Sequence, residues 1–165
     1  MSTPKPTVLF VEDSDLDFEL ASCAIRRLDR PVDVVRVSSH RGFREFVSRG
    51  TDRPALVVMD IRLPDASGLD IAREIRERGL FPPETPVVVF STSDVPSDLE
   101  AARQLGVEGF QTKPLDASQY VDVVQQMVQR WVVPQERSPS PRSPAALSGD
   151  DALLENGQQP DSVTK

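Results

Sequence analysis

Four places in this sequence set a group with phosphoryl chemistry at the end of an apolar run. Glu12-Asp13 follows Thr7–Val11, Asp60 follows Ala55–Met59, Ser91-Thr92 follows Pro86–Phe90, and Lys113 follows Gly109–Thr112. Continuously apolar runs are what strands buried on both faces show. Ending one on a carboxylate costs several kcal/mol unless a partner meets the charge. Glu12, Asp13 and Asp60 in one pocket would repel one another. A hard cation relieves that repulsion, and Mg²⁺ takes one or two carboxylates together with waters. Lys113 adds a fixed positive charge, and Ser91 a hydroxyl donor. A cation, an ammonium and a hydroxyl around one carboxylate are what a transferring phosphoryl group needs, because its charge spreads over three oxygens. The nucleophile would be the carboxylate of Asp60. Singly, each feature has a plainer reading: an acidic pair suits a helix N-terminus, and Lys-Pro suits a turn. Four strand ends carrying complementary groups point instead to one site.

The elements that must position these groups alternate. Besides the four runs, Val32–Val37 reads Val-Asp-Val-Val-Arg-Val, an edge strand with one wet face. Helical spacing joins Phe18, Ala21, Ile25 and Leu28, with Ser14 or Asp15 as N-cap. Phe43, Phe46 and Val47 mark a second helix. Leu69, Ala72 and Ile75 mark a third, closed by Gly79, and Leu99, Ala102 and Leu105 a fourth, closed by Gly106. A fifth carries Tyr120, Val123, Val124, Met127, Val128 and Trp131. Strands alternating with helices predict an α/β fold, a parallel sheet with helices on both faces. In such sheets the site lies at the carboxyl ends of the strands, where all the polar groups above fall.

The 165 residues carry a net charge of −7 and show no basic stripe, which argues against a nucleic-acid partner. No run approaches a membrane span, and residues 1–6 lack a secretory leader. Cys23 is the only cysteine, so no disulfide framework exists. A cytoplasmic protein is the expectation. Composition changes after Trp131. Residues 134–165 contain Ser138-Pro139-Ser140-Pro141 and Arg142-Ser143-Pro144 without periodicity, a tail expected to be disordered or partner-bound, beyond a domain of residues 5–133. Within it, Ala152, Leu153 and Leu154 could form a short helix on a partner. His40, the only histidine, is expected in the loop before the second helix rather than in a phosphorelay.

At these residues the sequence resembles the receiver domain of bacterial two-component response regulators. The motifs are Val-Glu-Asp after the first strand, Met-Asp-Ile-Arg-Leu-Pro-Asp with Gly68 after the third, Ser91-Thr92 after the fourth and Lys113-Pro114 after the fifth. The resemblance implies a flavodoxin-like (βα)5 fold of strand order 2-1-3-4-5. It implies that Asp60 is the phosphoacceptor, served by a sensor histidine kinase. Asp13 and Asp60 bind Mg²⁺, Glu12 acts through water, and the main-chain carbonyl of Arg62 completes the protein ligands. Ser91 and Lys113 contact the phosphoryl group, and Phe110 is the aromatic switch residue that moves with Ser91. Glu12 stands where many members have Asp, and Arg62 is bulky where the family tunes phosphoryl lifetime. Leu80-Phe81 ahead of the fourth strand and the Arg130-Trp131 end of the fifth helix look like single-domain regulators paired with bacterial phytochromes.

In the family, phosphorylation switches the surface of the fourth helix, fifth strand and fifth helix. The fifth helix is apolar at Tyr120, Val121, Val123, Val124, Met127, Val128, Trp131, Val132 and Val133, more than one core stripe requires. A homodimer through this face, braced by the tail, is the expectation; a wide core-facing stripe is the alternative. No DNA-binding domain is expected, so output runs through protein contacts. Two other readings compete. Asp13-Ser14-Asp15 looks like the paired aspartates of haloacid-dehalogenase-type phosphatases, with Asp13 as nucleophile and Asp15 as acid/base; that leaves Asp60 without a role. A degenerate receiver acting only as a binding module is the other.

Overall fold

The computed structural model describes residues 4–132. The expectations for residues 134–165, and for Val133, lie outside them. Five parallel strands alternate with five helices: β1 (Thr7–Val11), α1 (Asp15–Arg26), β2 (Asp33–Val37), α2 (His40–Ser48), β3 (Leu56–Met59), α3 (Gly68–Arg78), β4 (Val87–Ser91), α4 (Pro96–Gln104), β5 (Gly109–Thr112) and α5 (Ala117–Trp131). The sheet order is β2-β1-β3-β4-β5, the flavodoxin-like arrangement. Strand limits agree with the sequence reading to within one residue. The β4 run extends to Ser91, because Ser91 still pairs with Thr112 of β5.

Successive side chains of a strand face opposite sides of the sheet, and both sides are covered here. Val8 and Phe10 of β1 join Leu56, Val58, Val88 and Phe90 under α1 and α5. Leu9 and Val11 join Val57, Met59 and Val87 under α2 and α3. This double burial is why the central strands read as unbroken apolar runs. At the edge, Asp33 of β2 is exposed and only Val37 is fully buried, which is the wet face the alternation predicts.

The helices start on polar caps. The hydroxyls of Ser14, Ser39 and Ser67 accept backbone N–H bonds in the first turns of α1, α2 and α3. Gly79 closes α3 in the left-handed region, at φ 57°. Three points depart from the sequence reading. Leu99 of α4 faces solvent, 51% exposed, and the helix seats itself through the buried Ala102 with the half-buried Ala101 beside it. His40 is the first residue of α2 rather than a loop residue. On α5, Tyr120, Val121, Val124, Met127, Val128 and Val132 are all buried within the chain's own core, while Val123 and Trp131 are half-buried against it. The apolar surplus is consumed largely inside the chain, because α5 packs on the sheet and against α1, where Gln125 donates to the Ala24 carbonyl at 3.2 Å. No helix among the described residues is long and apolar enough to cross a membrane.

Candidate functional site

The polar strand ends converge. Carboxylate oxygens of Glu12, Asp13 and Asp60 lie within 4.8 Å of one another. Glu12 and Asp13 follow β1, and Asp60 follows β3, the central strand beside it. The amide of Asp60 donates to the Val11 carbonyl at 3.0 Å, so the β1–β3 ladder sets the spacing of the two loops. Glu12 is buried and Asp13 is exposed, with Asp60 between these extremes. The Glu12 Oε1 accepts the Ser14 amide at 2.9 Å, which holds its carboxylate back into the site.

Lys113, on the loop after β5, reaches across to this cluster. Its ammonium donates to Glu12 Oε2 at 2.5 Å, Asp60 Oδ2 at 2.7 Å and Asp17 Oδ2 at 2.8 Å. An ammonium has three donors, and all three are engaged. Burial works to lower the Lys113 pKa, yet the three carboxylates outweigh it and hold the ammonium more firmly protonated than an ordinary lysine. Burial pushes the Glu12 carboxyl up, against the pull of Lys113. On the other side of Asp60, Ser91 Oγ donates to Oδ1 at 3.0 Å. The Arg62 amide also donates to Oδ1, at 3.2 Å. Ser91 is fully buried and Thr92 is exposed, so only the first hydroxyl of the pair faces Asp60.

The loop after Asp60 folds back on itself. The Gly68 amide donates to the Ile61 carbonyl at 2.7 Å and the Leu63 amide to the Ala66 carbonyl at 3.3 Å. Arg62 sits between them, its carbonyl without a hydrogen-bond partner among the described residues and its side chain in solvent. A Cβ on Gly68 would meet the Asp60 carbonyl oxygen at 1.9 Å. Only glycine lets the start of α3 approach the phosphoacceptor candidate so closely. Phe110 is half-buried on β5, in register with Val89, and packs against Ile61, Leu69 and Ala102. It lies two residues along β5 from Thr112, the register partner of Ser91.

Every residue the sequence reading assigned to the site therefore lies in or beside one cluster. Two neighbours were missed. Asp17 supplies a further carboxylate to Lys113; four residues past Asp13, it reads as a first-turn acid favoured by the helix dipole. Arg36 of β2 binds the loop after β1; in an alternating strand it reads as one more wet residue. The phosphatase arrangement is not met. Ser91 and Lys113 converge on Asp60, while Asp15 turns away to Arg36 at 2.7 Å.

The donor set suits a hard divalent cation. Three carboxylates, of Glu12, Asp17 and Asp60, meet the ammonium of Lys113, and Asp13 adds a fourth beside Glu12 and Asp60, which leaves the cluster with surplus negative charge and oxygen donors only.

The chain matches known proteins in the same terms. Aerobic respiration control sensor protein ArcB of Escherichia coli (strain K12) is 31% identical over 156 residues, 94% of this chain. The chain spans only 19% of that sensor's length. Among solved structures, the phosphorylated cyanobacterial phytochrome response regulator RcpA superposes with a TM-score of 0.73 at 26% identity, covering 79% of this chain and 96% of RcpA. The Mn²⁺-bound form of response regulator Rcp1 superposes with a TM-score of 0.71 at 26% identity, covering 78% of this chain and 94% of Rcp1. Residues 8–125 match the response regulator receiver domain, and with its fold and converging strand ends the chain belongs to that family of two-component signalling proteins.

Proposed function

We propose that this chain works in the cytoplasm as a phosphoacceptor, taking a phosphoryl group onto Asp60 from a sensor histidine kinase. The observation that carries this reading is the division of the Asp60 carboxylate between donors at the ends of two other strands: Ser91 on Oδ1 and Lys113 on Oδ2. An Asp60 oxygen attacks phosphorus, the bond from phosphorus to the donor breaks, and the electron pair leaves with the donor. Ser91 then meets a phosphoryl oxygen in place of the carboxylate, and Lys113 meets another through a donor freed from one of its carboxylate partners. Glu12, Asp13 and Asp60, with the Arg62 carbonyl, would hold Mg²⁺, which supplies charge neutralisation to the phosphoryl oxygens when bound. Its chemistry is confined to its own phosphorylation and dephosphorylation.

Output runs through the α4–β5–α5 surface. Ser91 is tied to Asp60 and paired along β4–β5 with the strand that carries Phe110, so a phosphoryl group that draws Ser91 inward biases the position of that ring. Val95 and Leu99 are exposed on this side, and Val123 and Trp131 are half-buried beside β5. These residues, rather than the buried stripe of α5, are the footing for a homodimer. The likeness to RcpA supports a phytochrome-type kinase as the partner.

The test is intact mass after incubation with acetyl phosphate and Mg²⁺, with light scattering on the same samples. One phosphoryl adduct is expected on the wild type, absent from Asp60→Asn and from samples stripped of Mg²⁺, with a mass rising towards a dimer on phosphorylation. An adduct that survives Asp60→Asn and is lost in Asp13→Asn would return the phosphatase reading. No adduct from acetyl phosphate or from a phosphorylated histidine kinase would leave a binding module.

A further inference from the structure

Asp13 is the exposed member of the acidic cluster, and its carboxylate makes no hydrogen bond among the described residues. Glu12 is held by Lys113 and the Ser14 amide, and Asp60 by Lys113, Ser91 and the Arg62 amide. Where Asp13 points is therefore set by its backbone. That backbone is gripped from outside the loop by Arg36 of β2. The guanidinium donates through Nε to the Glu12 carbonyl at 2.9 Å, through Nη2 to the Asp13 carbonyl at 3.0 Å, and through Nη1 to Asp15 Oδ1 at 2.7 Å. Its Cζ lies over the Phe18 ring, 5.2 Å from the ring centre. The planar fork of arginine presents donors in fixed directions. Two of its bonds fall on consecutive carbonyls, which fixes the turn of the peptide between Glu12 and Asp13.

We propose that Arg36 is the positioning residue of the cation site, a clamp that holds the Glu12-Asp13 backbone so that the unbonded Asp13 carboxylate faces Asp60. The inference rests on the reading of that cluster as a cation site. Two effects of Arg36 have opposite signs and can be separated. As a positive charge near the acids, it opposes cation binding. As a clamp, it favours cation binding by preorganising the ligands. Lysine keeps the charge and loses the fork; glutamine loses both.

The experiment has two readouts on the full chain. The first is amide hydrogen exchange of the metal-free protein at Ser14 and Asp17, whose N–H groups bond to Glu12 Oε1 and to Ser14 Oγ. Exchange at Val88 and Val89 in the core strand reports that each variant is folded. The second is MnCl₂ titration by calorimetry. Both Arg36→Lys and Arg36→Gln are expected to speed exchange at Ser14 and Asp17 while leaving Val88 and Val89 unchanged. Both are expected to weaken Mn²⁺ binding by roughly tenfold, as loss of an outer-shell partner does. Wild-type exchange in both variants would overturn the clamp. So would wild-type Mn²⁺ affinity in Arg36→Lys with tighter binding in Arg36→Gln, the pattern of charge alone. A wild type that binds no Mn²⁺ would overturn the cation site itself, and the exchange data would then decide separately whether Arg36 holds the loop.

Discussion

Lys113 has more carboxylates than it can keep. Its three donors are spent on Glu12, Asp60 and Asp17, so contact with a phosphoryl group on Asp60 requires one of them to be given up. Asp17 is the cheapest to release, because its side chain is 26% exposed against 5% for Glu12 and 11% for Asp60. Water can replace the lysine at Asp17 but not at the buried Glu12. Asp17→Asn should therefore raise the rate of phosphorylation by acetyl phosphate about two- to tenfold, the effect of loosening one partly exposed ion pair. Glu19→Gln, an exposed acid on the same helix, controls for simple loss of negative charge. A tenfold slower Asp17→Asn would instead mean that Asp17 holds Lys113 in its reactive position. At this scale the residues at strand ends were legible, since a charge after a buried run demands a partner. Asp17 and Arg36 were not. Each occupies a position where its type is already explained locally, and only the fold brings them to the site.

Elements were legible where burial made their periodicity strong. The strands of the sheet centre and the helices α1, α2 and α3 follow from apolar spacing, helped by the Ser14 cap of α1 and the Gly79 stop of α3. The fourth helix was the weak case. It begins on Val95 with no side-chain cap, and Leu99, on the apolar spacing, faces solvent. The apolar excess of the fifth is taken up largely inside the chain, because a helix packed on both a sheet and a neighbour buries a wider stripe than periodicity for one contact suggests. Gly68 shows what an element boundary can demand. It starts α3, and a Cβ there would strike the Asp60 carbonyl oxygen at 1.9 Å and Met59 Cγ at 2.9 Å. Relief requires moving backbone rather than rotating a side chain. Gly68→Ala should cost about 3 kcal/mol in urea unfolding, at the upper end of overpacking effects, and should depress phosphorylation of the fraction still folded. Gly79→Ala is the contrast. Its added Cβ meets nothing within 4 Å, and the strain is only that of φ 57°, about 1 kcal/mol, with phosphorylation unchanged. Equal losses at the two positions would mean that the close approach to Asp60 is not what requires glycine at 68.

For the whole molecule, 26 acidic against 19 basic residues leave a net charge of −7, yet the acids are not simply a repulsive coat. Glu74 of α3 is the best-placed example. His40 Nε2 of α2 lies 2.8 Å from its Oε2, Arg78 of α3 lies 2.7 Å from its Oε1, and Arg44 of α2 lies 3.6 Å from the same oxygen. The His40 hydrogen bond, with Arg44 and Arg78 behind it, outweighs partial burial and holds the Glu74 carboxyl below the ordinary range. Asp65 is lowered too, by the backbone N–H groups of His40 and Arg41, which ties the loop after Asp60 to the start of α2. A carboxylate that binds its proton less readily folded than unfolded stabilises the fold at neutral pH, and that stability is lost as pH falls through the unfolded and then the lowered folded value. Glu74 carries most of the effect, since its side chain is 12% exposed whereas Asp65 is open to solvent. Glu74→Gln keeps the shape and drops the charge. It should lower stability by about 1–2 kcal/mol at pH 7, the scale of hydrogen bonds to a charged group. The gap to wild type should close as pH falls through and below the ordinary glutamate range, where the wild-type carboxylate is itself being protonated. Urea unfolding of the two proteins across that range reads the difference directly. A gap that stays constant with pH would assign the loss to packing of α2 on α3, and one that widens as pH falls would reverse the sign of the Glu74 contribution.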